Sequence, residues 1–201
     1  ASRRDRDEEH DERRGETVKA LVVLRDAFTS GGDWWPAKVV ARVKPPNQWD
    51  HAPLAQVTSD LSTYYGRCTI VVESNKGGPI IERLRDRHKA NLYVRRNWNL
   101  RMQQWTNQLG FHMDEDSRRQ CVATGQEYIR EQKIEVLCPK MLAELRTFIF
   151  DTKGKATAAS GEHDDDVMAL CMGLLCLPFA TTYAISKDSR RVAPDEQRWK
   201  E

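Results

Sequence analysis

The 201-residue chain carries 31% charged and 39% apolar residues with a net charge of only +2, enough for one domain with a proper core and too few for two large ones. No run approaches the roughly 18 apolar residues of a membrane span, and residues 1–14 are too charged for a secretory signal. A near-zero net charge permits nucleic acid as a partner without demanding it, and five cysteines without C-x-x-C spacing favour reduced thiols and no zinc.

In chain order, residues 1–15 interleave arginines with acids and read as a charged flexible arm or loop. Residues 18–24 are apolar and β-branched enough for a strand buried on both faces or nearly so. Gly31 and Gly32 make a turn, and residues 34–43 alternate as the returning strand of a hairpin, stopped by Pro45 and Pro46. Leu54, Val57, Leu61 and Tyr64 recur at helical steps from Pro53, and Gly66 ends that helix. Residues 69–72 read as a strand that delivers Glu73 to the edge of a sheet. Gly77-Gly78-Pro79 opens a helix over 80–88, with proline near the first helical position where its missing N–H costs nothing. Residues 91–94 form a short strand, and 97–110, lacking a period, a loop.

A long helix follows from Asp114 to about Gln132, with acids in its first turn. Then come a strand at 134–137, a short helix at 139–146 and a hairpin or lid-like loop over 148–159. The last helix runs from Asp164 to about Leu177, and 184–201 is a polar tail. Helix–strand alternation after a hairpin indicates an α/β fold with a mixed sheet and helices on both faces, occupying residues 16–183. No G-x-G-x-x-G or G-x-x-x-x-G-K-[ST] occurs, so no nucleotide-hydrolysing module lies within these residues.

The stretch Glu162-His163-Asp164-Asp165-Asp166 stands where a polar loop turns into an apolar helix. Acids there complement the helix dipole and cap orphan amides, which accounts for one or two of them. Three in a row repel one another unless a cation lies between them. Hard oxygen ligands suit Mg²⁺ or Mn²⁺, and Glu73, at the end of its strand, can converge with Asp164 at one rim.

These residues also carry a resemblance. Glu73-Ser-Asn-x-Gly after an apolar strand, Tyr93-x-Arg95, Leu109-Gly-Phe, Ser117-Arg118-Arg119, Ile134-Glu-Val, Glu144-Leu, Phe148 and Gly161-x-His163-Asp164-Asp165-x-Val167-x-Ala169-Leu170 follow in order. Over residues 18–177 the chain resembles the nuclease domain of the terminase large subunit of tailed bacteriophages and herpesviruses. The resemblance implies an RNase H-like fold and a divalent-metal-dependent endonuclease that cuts concatemeric double-stranded DNA with two Mg²⁺ or Mn²⁺ ions. It implies Glu73 and Asp164 as metal ligands and catalytic residues, with Asp165 beside them. It further implies an ATPase domain, a small terminase subunit and a portal as partners. No membrane is involved, and the site of action is the host cell interior: the cytoplasm for a phage, the nucleus for a herpesvirus-like virus.

The family's first metal-binding aspartate precedes the hairpin, and the expectation is that it lies upstream of Ala1, with Asp26 the alternative. Asp26 stands at the hairpin end of its strand, away from the expected rim. Lys76, Arg95, Arg96, Arg118 and Arg119 are placed to hold phosphates without reading sequence, although Arg118 and Arg119 also have acids at helical spacing on their own helix. Two other readings stand beside the nuclease: a non-catalytic DNA-binding or assembly domain of a packaging motor, and a resolvase- or transposase-like nuclease of the same fold.

Overall fold

The computed structural model describes residues 20–46, 48–99, 101–152 and 154–180. The charged arm over 1–15, Lys153 and the tail over 184–201 lie outside them. The described residues form a mixed α/β structure. A three-stranded mixed sheet holds β1 (Leu21–Arg25), β4 (Ala37–Val43) and β7 (Ile134–Glu135), in the order β1-β4-β7. β1 and β4 pair antiparallel as the hairpin expected from the sequence, whereas β4 and β7 pair parallel. β1 starts at Leu21, and its five residues are half-buried rather than enclosed, because among the described residues it pairs with β4 alone. Between β1 and β4 a small antiparallel ribbon, β2 (Phe28–Ser30) with β3 (Asp33–Trp35), stacks Phe28 on Trp35 at 6.1 Å.

Helix α1 (His51–Tyr64) starts with the Asp50 carboxylate accepting from the Ala52 N–H, and Gly66, at φ 81°, follows its end. Residues 69–73 run extended, with single parallel bridges from Ile70 to Leu92 and from Glu73 to Phe111. Helix α2 (Ser74–Asp86) begins immediately after Glu73, so Pro79 lies inside the helix and not at its start. The reason is tertiary. The Ser74 N–H donates to Phe111 O at 2.8 Å and the Gly77 N–H closes the first turn on Glu73 O at 2.9 Å, so the helix is anchored before the proline is reached.

The stretch expected to be a loop over 97–110 is instead most of a hairpin, β5 (Val94–Asn99) with β6 (Gln104–Leu109). Gln104, Trp105, Asn107 and Gln108 are all exposed, so β6 has no buried face to impose alternation on the sequence. Helix α3 (Glu115–Arg130) opens on a capping box between Asp114 and Ser117. Ile129, in its last turn, is exposed. Helix α4 (Pro139–Thr147) leads to the hairpin β8 (Phe148–Phe150) and β9 (Ala156–Ala158), and helix α5 (Asp165–Cys176) follows.

Three apolar clusters hold these elements. Cys121 and Val122 of α3 meet Val167 and Cys171 of α5. Ala55 of α1 and Ile81 and Leu84 of α2 enclose Ile70 and Leu92. Val39 of β4, Met141 of α4 and Leu170 and Leu174 of α5 form the third. Helix α5 is shared by two clusters and approaches closely on two sides: a Cβ at Gly125 of α3 would meet the Cys171 sulfur, and one at Gly173 would come within 2.8 Å of Leu24. All five cysteines are free thiols. Burial raises the Cys121 thiol to about 12 and those of Cys171 and Cys176 to about 11, the behaviour of small hydrophobes.

Candidate metal and phosphate site

The expected ligands line one groove, and each is positioned there by a different local device. Residues 69–73 run extended into the start of α2, which leaves Glu73 at that helix's N-cap with its side chain making no capping bond. Gly161, at φ 84°, turns the loop that precedes α5, and Asp164 takes the N-cap position there, likewise without a side-chain cap bond. Glu73, Asp164 and Asp165 all line one groove of about 1270 Å³, as do His163, Lys76 and Arg118.

The three aspartates have three different surroundings. Asp164 Oδ2 accepts from Arg118 Nη2 at 2.6 Å, and the same Nη2 reaches Ala156 O at 3.2 Å, so Arg118 ties α3 to β9 and to the entrance of α5. Asp165 is half-buried and makes no hydrogen bond or ion pair among the described residues. Burial pushes its carboxyl above the usual carboxylate range, against the opposing pull of Lys44; Asp164 adds to the rise.

Asp166 is fully buried and ion-paired with Arg42 of β4, whose Nε lies 2.5 Å from Oδ2, while Oδ1 has no hydrogen-bond partner among the described residues. The Asp166 N–H donates to Glu144 Oε2 at 3.0 Å, and Glu144 Oε1 accepts from Lys44 Nζ at 3.0 Å. Burial raises the Glu144 carboxyl, with Lys44 opposing and Asp166 reinforcing the shift. This Arg42–Asp166–Glu144–Lys44 network fixes α5 against β4 and α4.

Sequence reasoning assigned no role to Arg42, Lys44 or Glu144. Arg42 near the end of β4 and Lys44 just beyond it were the available signal, and it is a faint one, because their acids, Asp166 and Glu144, lie 124 and 100 positions away.

The cationic candidates divide. Lys76 and Arg118 share the groove with the acids. Arg95 and Arg96 lie on β5, Arg96 with its guanidinium 5.8 Å from the Trp105 ring centroid. Arg119 projects into solvent and pairs with Asp116 one turn earlier, as the helical spacing allowed. Asp26 follows β1, accepts from the Ala27 N–H at 2.7 Å, and does not line the groove.

The donor set suits a hard divalent cation. Among the described residues no three carboxylate, imidazole or thiol groups stand together at ligand spacing, and Asp164 is engaged by Arg118. A cation here would exchange that guanidinium and relieve the desolvated charge of Asp165. No helix among the described residues is long and apolar enough to cross a membrane. No family model matches the chain, and no curated protein matches it.

Proposed function

We propose that this chain is a divalent-metal-dependent endonuclease domain of the terminase large-subunit type, with an RNase H-like fold, acting on double-stranded DNA. The observation that supports the reading is that Glu73 lines the same groove as Asp164 and Asp165, about ninety positions away in sequence. In this reading Glu73, Asp164 and Asp165 would hold Mg²⁺ or Mn²⁺, which when bound activates water and stabilises the charge of an in-line phosphodiester displacement. The protein's own residues do the rest. Lys76 and Arg118, beside the acids, meet the phosphate backbone and hold it in register. The Arg42–Asp166 pair fixes the first turn of α5, and with it the positions of Asp164 and Asp165.

The test is cleavage of supercoiled plasmid in Mg²⁺ or Mn²⁺, against chelator and against Glu73→Gln and Asp164→Asn. Divalent-dependent nicking lost in both variants supports the reading. Nicking that survives both, or that never occurs, defeats it. Binding to DNA should be sequence-indifferent and steeply weakened by salt, since the cationic residues meet phosphates only.

The 2.6 Å Arg118–Asp164 pair favours a second reading, a DNA-binding or assembly domain without catalysis, because it neutralises one of the three carboxylates. Metal-independent DNA binding with no cleavage would select it.

A further inference from the structure

Glu73 is held in place by a segment distant in sequence, residues 110–113. Val72 O accepts from the Phe111 N–H at 2.8 Å and the Ser74 N–H donates to Phe111 O at 2.8 Å, so Phe111 brackets Glu73 on both sides. Gly110 lets the two stretches close up, since a Cβ there would stand 2.7 Å from Val72 O. Asn75, the second residue of α2, adds a bond pair of a different kind. Its Nδ2 donates to Met113 O at 2.7 Å and its Oδ1 accepts from the Met113 N–H at 2.8 Å, across 38 positions of chain. The carboxamide thereby copies the two-bond exchange of one antiparallel strand residue with another.

This clasp lies on a bonded path that joins Glu73 to Asp164. Past Met113, Asp114 and Ser117 close the capping box of α3, and the Ser117 hydroxyl reaches His112 O at 3.0 Å. One residue further, Arg118 meets Asp164 at 2.6 Å. Residues 111–118 therefore connect the two separated acids, and the bond pair at Met113 keeps the middle of that segment from swinging. Asn75 itself is exposed and does not line the groove, whereas Glu73, Met113 and Arg118 do. Its side chain acts on the groove only through the backbone it holds.

We propose that Asn75 is a positioning residue: by clasping Met113 it makes residues 111–118 a strut of fixed length, which sets where Glu73 stands relative to Asp164. The inference deepens the metal-site reading above and rests on it for what the strut serves. The position requires a carboxamide. Aspartate has the same shape but offers only acceptors, so it keeps the bond from the Met113 N–H and sets a lone pair against Met113 O. Alanine keeps neither bond.

The test is calorimetric titration with Mn²⁺, together with residue-resolved amide exchange, on the full chain and on Asn75→Ala and Asn75→Asp. Asn75→Ala should weaken Mn²⁺ binding by about tenfold or more, the usual effect of losing an outer partner of a metal ligand. It should keep a cooperative melt, because an exposed side chain leaves no cavity. The Ser74 and Phe111 amides, which Asn75 does not touch, should exchange about tenfold faster, while Leu84 near the other end of α2 stays unchanged. Asn75→Asp separates positioning from charge. A carboxylate added near a cation site tightens Mn²⁺ by Coulomb attraction alone, whereas loss of the clasp weakens it, and weaker binding is the result expected. Tighter or unchanged Mn²⁺ binding in Asn75→Asp overturns the proposal, as does unaltered Ser74 and Phe111 exchange in both variants. An unaltered chain that binds no Mn²⁺ defeats the metal reading instead, and the exchange of Ser74 and Phe111 then decides by itself whether Asn75 holds the strut.

Discussion

Arg118 reaches across from α3 to place its Nη2 2.6 Å from Asp164 Oδ2, at the point where α5 begins. Both side chains are about three-quarters buried, so the pair is partly shielded from solvent. Any cation bound by Asp164 competes with this guanidinium. Arg118→Gln should therefore bind Mn²⁺ about tenfold more tightly than the unaltered protein, the equivalent of one hydrogen bond to a charged group. Asp164→Asn should abolish Mn²⁺ binding without unfolding the domain. Calorimetric titration of both variants checks this, and an unchanged affinity in both removes Asp164 from the ligand set.

Asp165 makes a statement about pH. Its carboxyl is held above the ordinary range chiefly by burial. An acid whose pKa is raised by folding contributes stability below its unfolded value, near 3.9, and loses it as pH rises through the folded value. At neutral pH the ionised group is a cost. Asp165→Asn should therefore melt higher than the unaltered protein at pH 7 in metal-free buffer, and the advantage should vanish toward pH 3. Addition of Mg²⁺ should raise the melting temperature of the unaltered protein and leave that of the variant where it was. A variant less stable at pH 7 without metal would contradict the assignment.

Neighbouring Asp166 should behave in the opposite sense. Removing one partner of a buried pair leaves an uncompensated charge, so Asp166→Asn, which strands Arg42, should cost about 3–5 kcal/mol in urea denaturation. Asp164→Asn breaks a more exposed pair and should cost at most about 1 kcal/mol. Equal losses for the two would mean that Asp164 also serves the fold rather than the groove.

The thiols offer a check that needs no substitution. Cys121, Cys171 and Cys176 are buried, with thiols raised to about 12, about 11 and about 11, whereas Cys68 and Cys138 are only half-buried. A thiol-specific disulfide reagent at pH 8 should titrate two groups per chain in the native state and five after denaturation. Fast reaction of more than two would mean that the α3–α5 interface opens.

What could be read in the sequence was what depends on local periodicity. Helices α1, α3 and α5 and the β1–β4 hairpin follow from apolar spacing and turn residues, and so do the places of Glu73 and Asp164 at the starts of helices. The start of α2 could not be read, because it is set by the Ser74 bond to Phe111 and not by the glycines and proline within it. The β5–β6 hairpin escaped because neither interior nor alternation marks β6. Asp166 looked like its two neighbours, yet it is buried by an arginine on a distant strand, a relation that only the assembled fold creates.

The parallel pairing of β4 with β7 joins Ala37 to Ile134 and Lys38 to Glu135, about a hundred residues apart. Closing a loop of that length costs on the order of 4 kcal/mol of chain entropy before any contact rewards it. The β1–β4 hairpin closes a short loop, but β7 must pair across the whole stretch that holds α1, α2 and α3. Refolding should accordingly be slow for a chain of this size, with the hairpin's amides protected first and those of Ile134 and Glu135 last.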